Sequence, residues 1–412
     1  MKRHSALAGG VAARDSGVVG EVRRHRRWPW ILLFIGALLV GLFYIGGGWY
    51  FSNMVYSDAL KANPFNPEGL WRGTVQQFGG ATITVLPGEE HRDETKFDGA
   101  VMGLTLDDGS VVVVGPATVA ADGTRTMPVL DVVGEPPAVG ASYRLTPSVW
   151  LTAESAGLDA ADVTITTPAG EEFPAWEVTV AGSDKWAVLT HGRSGDRHDM
   201  LRMARPLQGA GYNLLFTTVA GDTGAPPAED GMLHYGVTEW DELEAAVGHV
   251  LDNGAQTLLL GGMSQGGAAT LGFLATSTLA DQVDAVILDT PASSLEDIID
   301  EVGEFRTLPV GGLPIPESLE ESAQWLTSLR FGVDFSAIDY TDTAGLIDVP
   351  LLTFQGSADR TIPPAVNDRF MTTGSGQDGD YVVVQGADHP LSWNADPAGY
   401  ESKITQFVEQ IG

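Results

Sequence analysis

Four short stretches carry the side chains that could do chemistry together. The first is Gly262-Met263-Ser264-Gln265-Gly266, directly after the apolar run Leu258 to Leu260. A small-residue pattern follows, with Ala268, Leu271, Leu274 and Ala275 on one helical stripe. The order reads strand, sharp turn, helix. A serine nucleophile must stand clear of a sheet on a tight turn at a strand's C-terminal end. Glycines on either side remove the side chains that would collide there. The helix behind Ser264 would aim free N–H groups at negative charge developing beside it. Taken alone, G-x-S-x-G also fits a glycine-rich loop after a buried strand, so the other stretches decide.

The second stretch is Gly356-Ser357-Ala358-Asp359-Arg360-Thr361-Ile362-Pro363, after the apolar strand Pro350 to Gln355. The third is Gln385-Gly386-Ala387-Asp388-His389-Pro390, after the strand Tyr381 to Val384. His389 can act as general base toward Ser264, and Asp359 can fix its tautomer and stabilise the imidazolium. Two other carboxylates are near. Asp289 ends the strand after the Ser264 helix, and Asp388 adjoins His389 and faces away along the chain. Asp359 ranks above Asp289 because its loop follows the strand next to that of His389. The fourth stretch is His191-Gly192-Arg193-Ser194-Gly195, again at a strand end before a helix. Acyl transfer needs two donors for an oxyanion, and the backbone N–H groups of Gln265 and Arg193 are placed to supply them. His191 itself suits a loop-holding hydrogen bond better than the role of base.

These stretches need a scaffold that brings strand ends together. From Asp162 onward, strands are expected at Asp162 to Thr167, Phe173 to Val180, Lys185 to Thr190, Tyr212 to Thr217, the Ser264 strand, and Val283 to Leu288. Helical patterns lie between the later ones. One begins near Thr238, where Thr238 and Asp241 stand three apart as a capping box in its Asp form. Apolar strands alternating with amphipathic helices mean βαβ units and a mostly parallel sheet, whose ligands sit at the C-terminal strand ends.

Residues 160–412 resemble the α/β-hydrolase superfamily. H-G-x-x-G, G-x-S-x-G, G-x-x-D-x-x-I-P and a terminal G-x-x-H-P occur in that order. The chain looks most like a bacterial branch related to the prolyl-oligopeptidase catalytic domain and to membrane-anchored serine hydrolases. The resemblance implies an α/β-hydrolase fold with a mostly parallel eight-stranded sheet and helices on both faces. It implies Ser264 as nucleophile, Asp359 as acid, His389 as base, and Arg193 and Gln265 as oxyanion donors. The departures are Gln265, where many relatives carry Met or Ala, and Arg193, where a small residue is common. Neither removes a backbone donor.

The chain of 412 residues has a net charge of −31, which argues against nucleic acid as a partner. It has no cysteine, which excludes disulfides, cysteine–zinc sites and thiol catalysis. No metal cluster, P-loop or dinucleotide fingerprint is present, so no cofactor or metal is expected. Residues 1–27 are basic and read as a cytoplasmic tail. Trp28 to Ser57 contains no charged residue, and Ile31 to Tyr50 is a near-continuous apolar run. About 20 such residues span a hydrocarbon core, and Trp28, Trp30, Trp49 and Tyr50 lie where interfacial aromatics belong. A transmembrane signal anchor over 28–52 is expected, with everything after it outside the cell membrane. The alternative is a cleaved signal peptide, for which Ser57-Asp58-Ala59 is a poor site. Seven of the 23 basic and two of the 54 acidic residues precede residue 31, which leaves 16 basic against 52 acidic beyond it. That asymmetry agrees with the orientation.

Residues 58–160 read as a β-rich extension or small domain without evident chemistry, and His91 and Asp93 read as solvated loop residues. A short helical cap is expected at 292–348, with helices at Leu295 to Val302 and Ser318 to Phe331 roofing the pocket. Trp325, Trp393 and Met263 are candidates for an acyl-side wall, although core packing is the ordinary role of such side chains. The expectation is an extracytoplasmic, membrane-anchored serine hydrolase cleaving carboxylic esters through an acyl-enzyme. The same triad would serve a peptidase, and a non-catalytic scaffold on the same fold is the third reading. The partners expected are a small-molecule or peptide acyl substrate and the lipid bilayer.

Overall fold

The computed structural model describes residues 27–66, 71–92, 94–228, 230–309, 311–342, 347–373 and 380–411. The basic tail, apart from Arg27, and Asp93 lie outside them. The chain opens with helix α1 (Trp28–Val55), which continues into a π-helical turn over Tyr56–Leu60. Its apolar stretch is long enough to cross a membrane by length and composition. Every residue from Arg27 to Val40 is exposed, whereas Phe51, Ser52 and Leu60 are buried against the rest of the chain. The helix therefore belongs to the folded body at its C-terminal end.

The β-rich segment is a barrel. Its strands are β1 (Trp71–Phe78), β2 (Thr82–Pro87), β3 (Met102–Leu106), β4 (Val111–Val114), β5 (Thr118–Val119), β6 (Arg125–Val133) and β7 (Ser142–Thr146). Pairing runs β2-β1-β7-β3-β4-β6, and a further β2–β6 pairing closes the ring, with β5 added on β6. All pairings are antiparallel, and irregular registers at Val75/Gln77 and Val113/Val114 supply the local bends that closure requires. Alternate residues fill the interior, including Val75, Ile83, Val85, Met102, Leu104 and Met127. Ala387 and Leu391 join this same core, although they belong to the loop that carries His389.

The second sheet has eight strands: β8 (Ala160–Thr166), β9 (Glu172–Val178), β10 (Lys185–Thr190), β11 (Asn213–Thr217), β12 (Thr257–Met263), β13 (Ala285–Asp289), β14 (Leu351–Gly356) and β15 (Asp380–Val384). Their order is β15-β14-β13-β12-β10-β11-β9-β8. The sheet is mixed. The six strands from β15 to β11 are parallel neighbours, whereas β9 runs against both β11 and β8. The central strands are fully buried apolar runs, as a sheet covered on both faces requires.

Helices α2 (Leu201–Gly209) and α9 (Pro397–Ile411) cover one face. Helices α3 (Trp240–Asp252), α4 (Gln265–Thr276) and α7 (Pro364–Thr373) cover the other. The cap consists of α5 (Leu295–Glu304) and α6 (Glu317–Phe331), and the one-turn helix α8 (Ser392–Ala395) precedes α9. The capping box expected at Thr238 does not form, because α3 starts at Trp240 without a side-chain cap. The Glu239 carboxylate instead accepts from the amides of His234 and Gly236 at 2.7 and 2.8 Å, and this fixes the preceding loop.

Asn394 of α8 joins barrel and sheet domain. Its side chain, fully buried, donates to the carbonyls of Val101 and Pro147 at 2.6 and 2.7 Å, and the Val101 amide donates back at 2.8 Å. Asn394→Ala would leave two part-buried carbonyls short of a donor. It is expected to destabilise the protein by about 2–4 kcal/mol, read as a lowered midpoint in denaturant. An unchanged midpoint would contradict this account of the joint.

Candidate active site

Ser264 sits at the junction of β12 and α4 with φ of 54° and ψ of −117°. A non-glycine residue in that region carries strain of about 1–3 kcal/mol, which the surroundings must hold. The Ser264 amide donates to the Asp289 carbonyl at 2.9 Å, and the Ser264 carbonyl accepts from Ala292 at 3.0 Å. The neighbouring glycines are there for space. A Cβ on Gly262 would lie 2.6 Å from the Gly266 carbonyl oxygen, and one on Gly266 would overlap the carbonyl oxygens of Thr190 and His191.

His389 lies on the loop after β15, and its Nε2 is 3.0 Å from Ser264 Oγ. Its Nδ1 is 2.8 Å from Asp359 Oδ2. The other oxygen, Oδ1, accepts from the amides of Thr361 and Ile362 at 2.9 and 2.8 Å. Asp359 is buried, so its two oxygens are divided between the backbone and the ring. Burial works against a charged His389 ring, but the Asp359 carboxylate beside it outweighs this and holds the pKa above the ordinary value. The remaining carboxylates are engaged elsewhere. Asp289 accepts from Ser392 Oγ at 2.7 Å and Tyr400 OH at 3.0 Å, and burial raises its pKa. Asp388 accepts the amides of His389 and Arg360.

The His191–Gly195 loop comes down on Ser264, so closely that a Cβ on Gly192 would lie 3.0 Å from the Ser264 Cβ. His191 is wholly buried. Its Nε2 is 2.8 Å from Asp222 Oδ2, and its Nδ1 is 2.8 Å from the Gly192 carbonyl. Both ring nitrogens thus face acceptors. Burial opposes a charged ring, but Asp222 prevails and holds the pKa up to about 9. The Gly192 carbonyl and the Arg193 N–H share one peptide unit, so this bond also sets the direction of the Arg193 N–H. The Gln265 N–H begins α4, where no preceding turn can accept it. Asp222 is a partner that the sequence pattern did not indicate.

The Arg193 side chain turns away from this loop. It donates to the carbonyls of Ser57 and Lys61 at 2.9 and 3.2 Å, clamping the π-helical turn after α1. A large cation at this position is thereby explained by what it holds.

A cavity of about 380 Å³ opens above Ser264 and His389. Its walls are Phe51, Met54 and Val55 of α1 and Leu295, Ile298, Ile299 and Val302 of α5. The residues proposed for this wall from the sequence are elsewhere. Trp325 is 63% exposed on α6, whereas Met263 and Trp393 pack in the core between the sheet and α2 and α9. The α5 stripe at 295, 298, 299 and 302 was the readable signal. The α1 contribution had none, because hydropathy marks a span and not what its last turns touch.

Among solved structures, an esterase from Pyrococcus furiosus superposes with a TM-score of 0.51 at 21% identity, over 68% of this chain and 100% of that one. A second crystal form of it gives 0.50 at 20% identity, over 68% and 98%. A puromycin-hydrolysing peptidase from Mycobacterium tuberculosis gives 0.47 at 15% identity, over 82% and 62%. No family model and no curated protein matches the chain. At such identities the likeness speaks to the fold alone, and that fold is the α/β-hydrolase fold.

If His389 takes the Ser264 proton, it must be neutral first. Its raised pKa means the acid limb of kcat/KM should fall at a pH above the ordinary histidine value of about 6.5. In Asp359→Asn the Thr361 and Ile362 amides would retain the side-chain oxygen and turn the NH2 toward Nδ1. The ring would then carry its proton on Nε2, facing Ser264. The rate is expected to drop about 10^4-fold, with the limb displaced to lower pH. A pH–rate profile unchanged by this substitution would contradict the assignment.

Proposed function

We propose that the protein is a serine hydrolase that cleaves carboxylic esters through an acyl-enzyme, outside the membrane to which α1 anchors it. The observation that carries this reading is the hydrogen-bonded series Ser264–His389–Asp359 on a strained turn. In the proposed reaction, Ser264 Oγ attacks the ester carbonyl while His389 Nε2 takes its proton. The tetrahedral oxyanion is held by the N–H groups of Gln265 and Arg193. Collapse expels the alcohol, which takes the proton back from His389. Water then attacks the acyl-serine with His389 as base, releasing the acid and restoring Ser264. Asp359 orients the ring and stabilises the imidazolium in both halves.

Retention of α1 is supported by its packing. Cleavage after Ala59 would remove Phe51, Met54 and Val55 from the cavity wall and cut the chain next to fully buried Leu60. The basic stretch before the span supports a cytoplasmic N-terminus.

A panel of nitrophenyl esters and aminoacyl anilides tests the reaction class. Ester turnover is expected to exceed anilide turnover, and Ser264→Ala should lower kcat at least about 10^3-fold. Faster anilide cleavage would make the protein a peptidase with the same triad. Ester turnover that survives Ser264→Ala would remove Ser264 from the reaction.

A further inference from the structure

The end of α1 is shared between two environments, and this bears on the substrate. Helix α6 runs alongside α1 in the same direction. Tyr44 OH meets Ser318 Oγ at 3.0 Å, Ser52 Oγ accepts from Thr327 at 3.0 Å, and Asn53 accepts from Arg330 at 2.7 Å. Close approach is possible because Gly47 and Gly48 face Leu319, Ser322 and Leu326. Counting about 20 residues of span from Ile31, past the interfacial Trp28 and Trp30, puts the outer edge of the hydrocarbon core near Tyr50. Phe51, Met54 and Val55 then stand within about 8 Å beyond that edge at 1.5 Å per residue. These three residues form one wall of the cavity above Ser264.

The cap carries the same relation. The start of α6 lies beside Tyr44, on the span side of that edge. Leu313, just before α6, is 62% exposed, and Phe305 at the end of α5 is 65% exposed. Trp325 and Leu329, four apart on α6, are 63% and 67% exposed. Large apolar side chains left bare on elements packed against a membrane helix suit contact with lipid. Leu295, Ile298 and Ile299 of α5 line the same cavity, so the lining from both helices is apolar. Its polar edge is formed by Asp58 of the π-helical turn and Arg306 beyond α5, paired at 3.3 Å, together with Arg193, Glu320, Arg360 and Thr361.

We propose that the substrate is a neutral amphiphilic acyl ester resident in the outer leaflet, whose single acyl chain lies in this cavity with its ester carbonyl at Ser264. This rests on the ester-hydrolase reading of the same site. The volume of about 380 Å³ holds roughly a dozen methylene-sized groups, taking about 30 Å³ for each as for a water. The excess of acidic residues beyond the span, 52 against 16 basic, disfavours an anionic head group. The chain need not cross water, because the cavity wall is a continuation of the helix that leaves the bilayer.

The test uses the full-length protein, in detergent and in phosphatidylcholine vesicles. Nitrophenyl acetate, hexanoate and decanoate are compared by kcat/KM, with at least a 100-fold rise from acetate to decanoate expected. Ala323→Phe, which intrudes on the cavity, should lower the decanoate-to-acetate ratio at least tenfold; acetate turnover in the same variant reports that it is folded. Monododecanoylglycerol embedded in the vesicles should be hydrolysed, and lysophosphatidylglycerol of the same chain at least fivefold more slowly. Ser264-dependent acetate turnover with a flat or falling chain-length profile would overturn the lipid assignment and leave the hydrolase standing. So would intact monododecanoylglycerol, or preference for an apolar aminoacyl anilide. Equal or faster cleavage of the anionic lipid would overturn the neutral head group. Absence of Ser264-dependent turnover on every ester would remove the hydrolase reading and this inference with it.

Discussion

The imidazole of His389 is hydrogen-bonded on both sides, to Ser264 and to Asp359, and most of the architecture serves to keep it there. The bond to Ser264 joins positions 125 residues apart in the chain. Three separate strand ends must agree to within a few tenths of an ångström for it to exist. Each is held by its own means. The Ser264 turn is held by glycines that leave no space for side chains and by backbone bonds to the adjacent strand loops. Asp359 is held by two amides of its own loop. The His389 loop is held from two sides, because Ala387 and Leu391 are part of the barrel core and Arg202 of α2 donates to the Pro390 carbonyl at 2.7 Å. The barrel, which carries no evident chemistry, is thus a support for the His389 loop.

A second convergence lies at the N-terminal end. α1 is exposed along its first half and packed against the cap along its second, so the apolar span and the cavity wall are one element. Arg193 links this element to the His191–Gly195 loop through the carbonyls of Ser57 and Lys61. On the proposed reading, the position of the membrane helix and the geometry of the donors are coupled through one guanidinium.

The sheet strands and the four motifs were legible because each depends on local rules. Buried parallel strands read as apolar runs, and turns at strand ends need glycine for steric reasons visible in the motif itself. Barrel closure was not legible. Alternation reports strands and faces, but ring closure depends on β2 meeting β6, a pairing between positions some forty residues apart that no local pattern encodes. The cavity wall was not legible either. Met263 and Trp393 take the core positions ordinary for such side chains, Trp393 beside Trp150 with its indole N–H donating to Glu401 at 3.0 Å. The wall came instead from Phe51, Met54 and Val55, which in sequence are only the tail of an apolar span. Thr238 shows the limit of capping rules, since α3 starts at Trp240 and leaves Thr238 outside the N-cap position.

The central claim is that Ser264 is an activated nucleophile. The most direct measurement is reaction of the full-length protein with a fluorophosphonate, followed by intact mass and peptide mapping. A single adduct on Ser264 in the wild type, absent from Ser264→Ala, is the predicted result. Equal labelling of the two proteins, or an adduct on another residue, would contradict it.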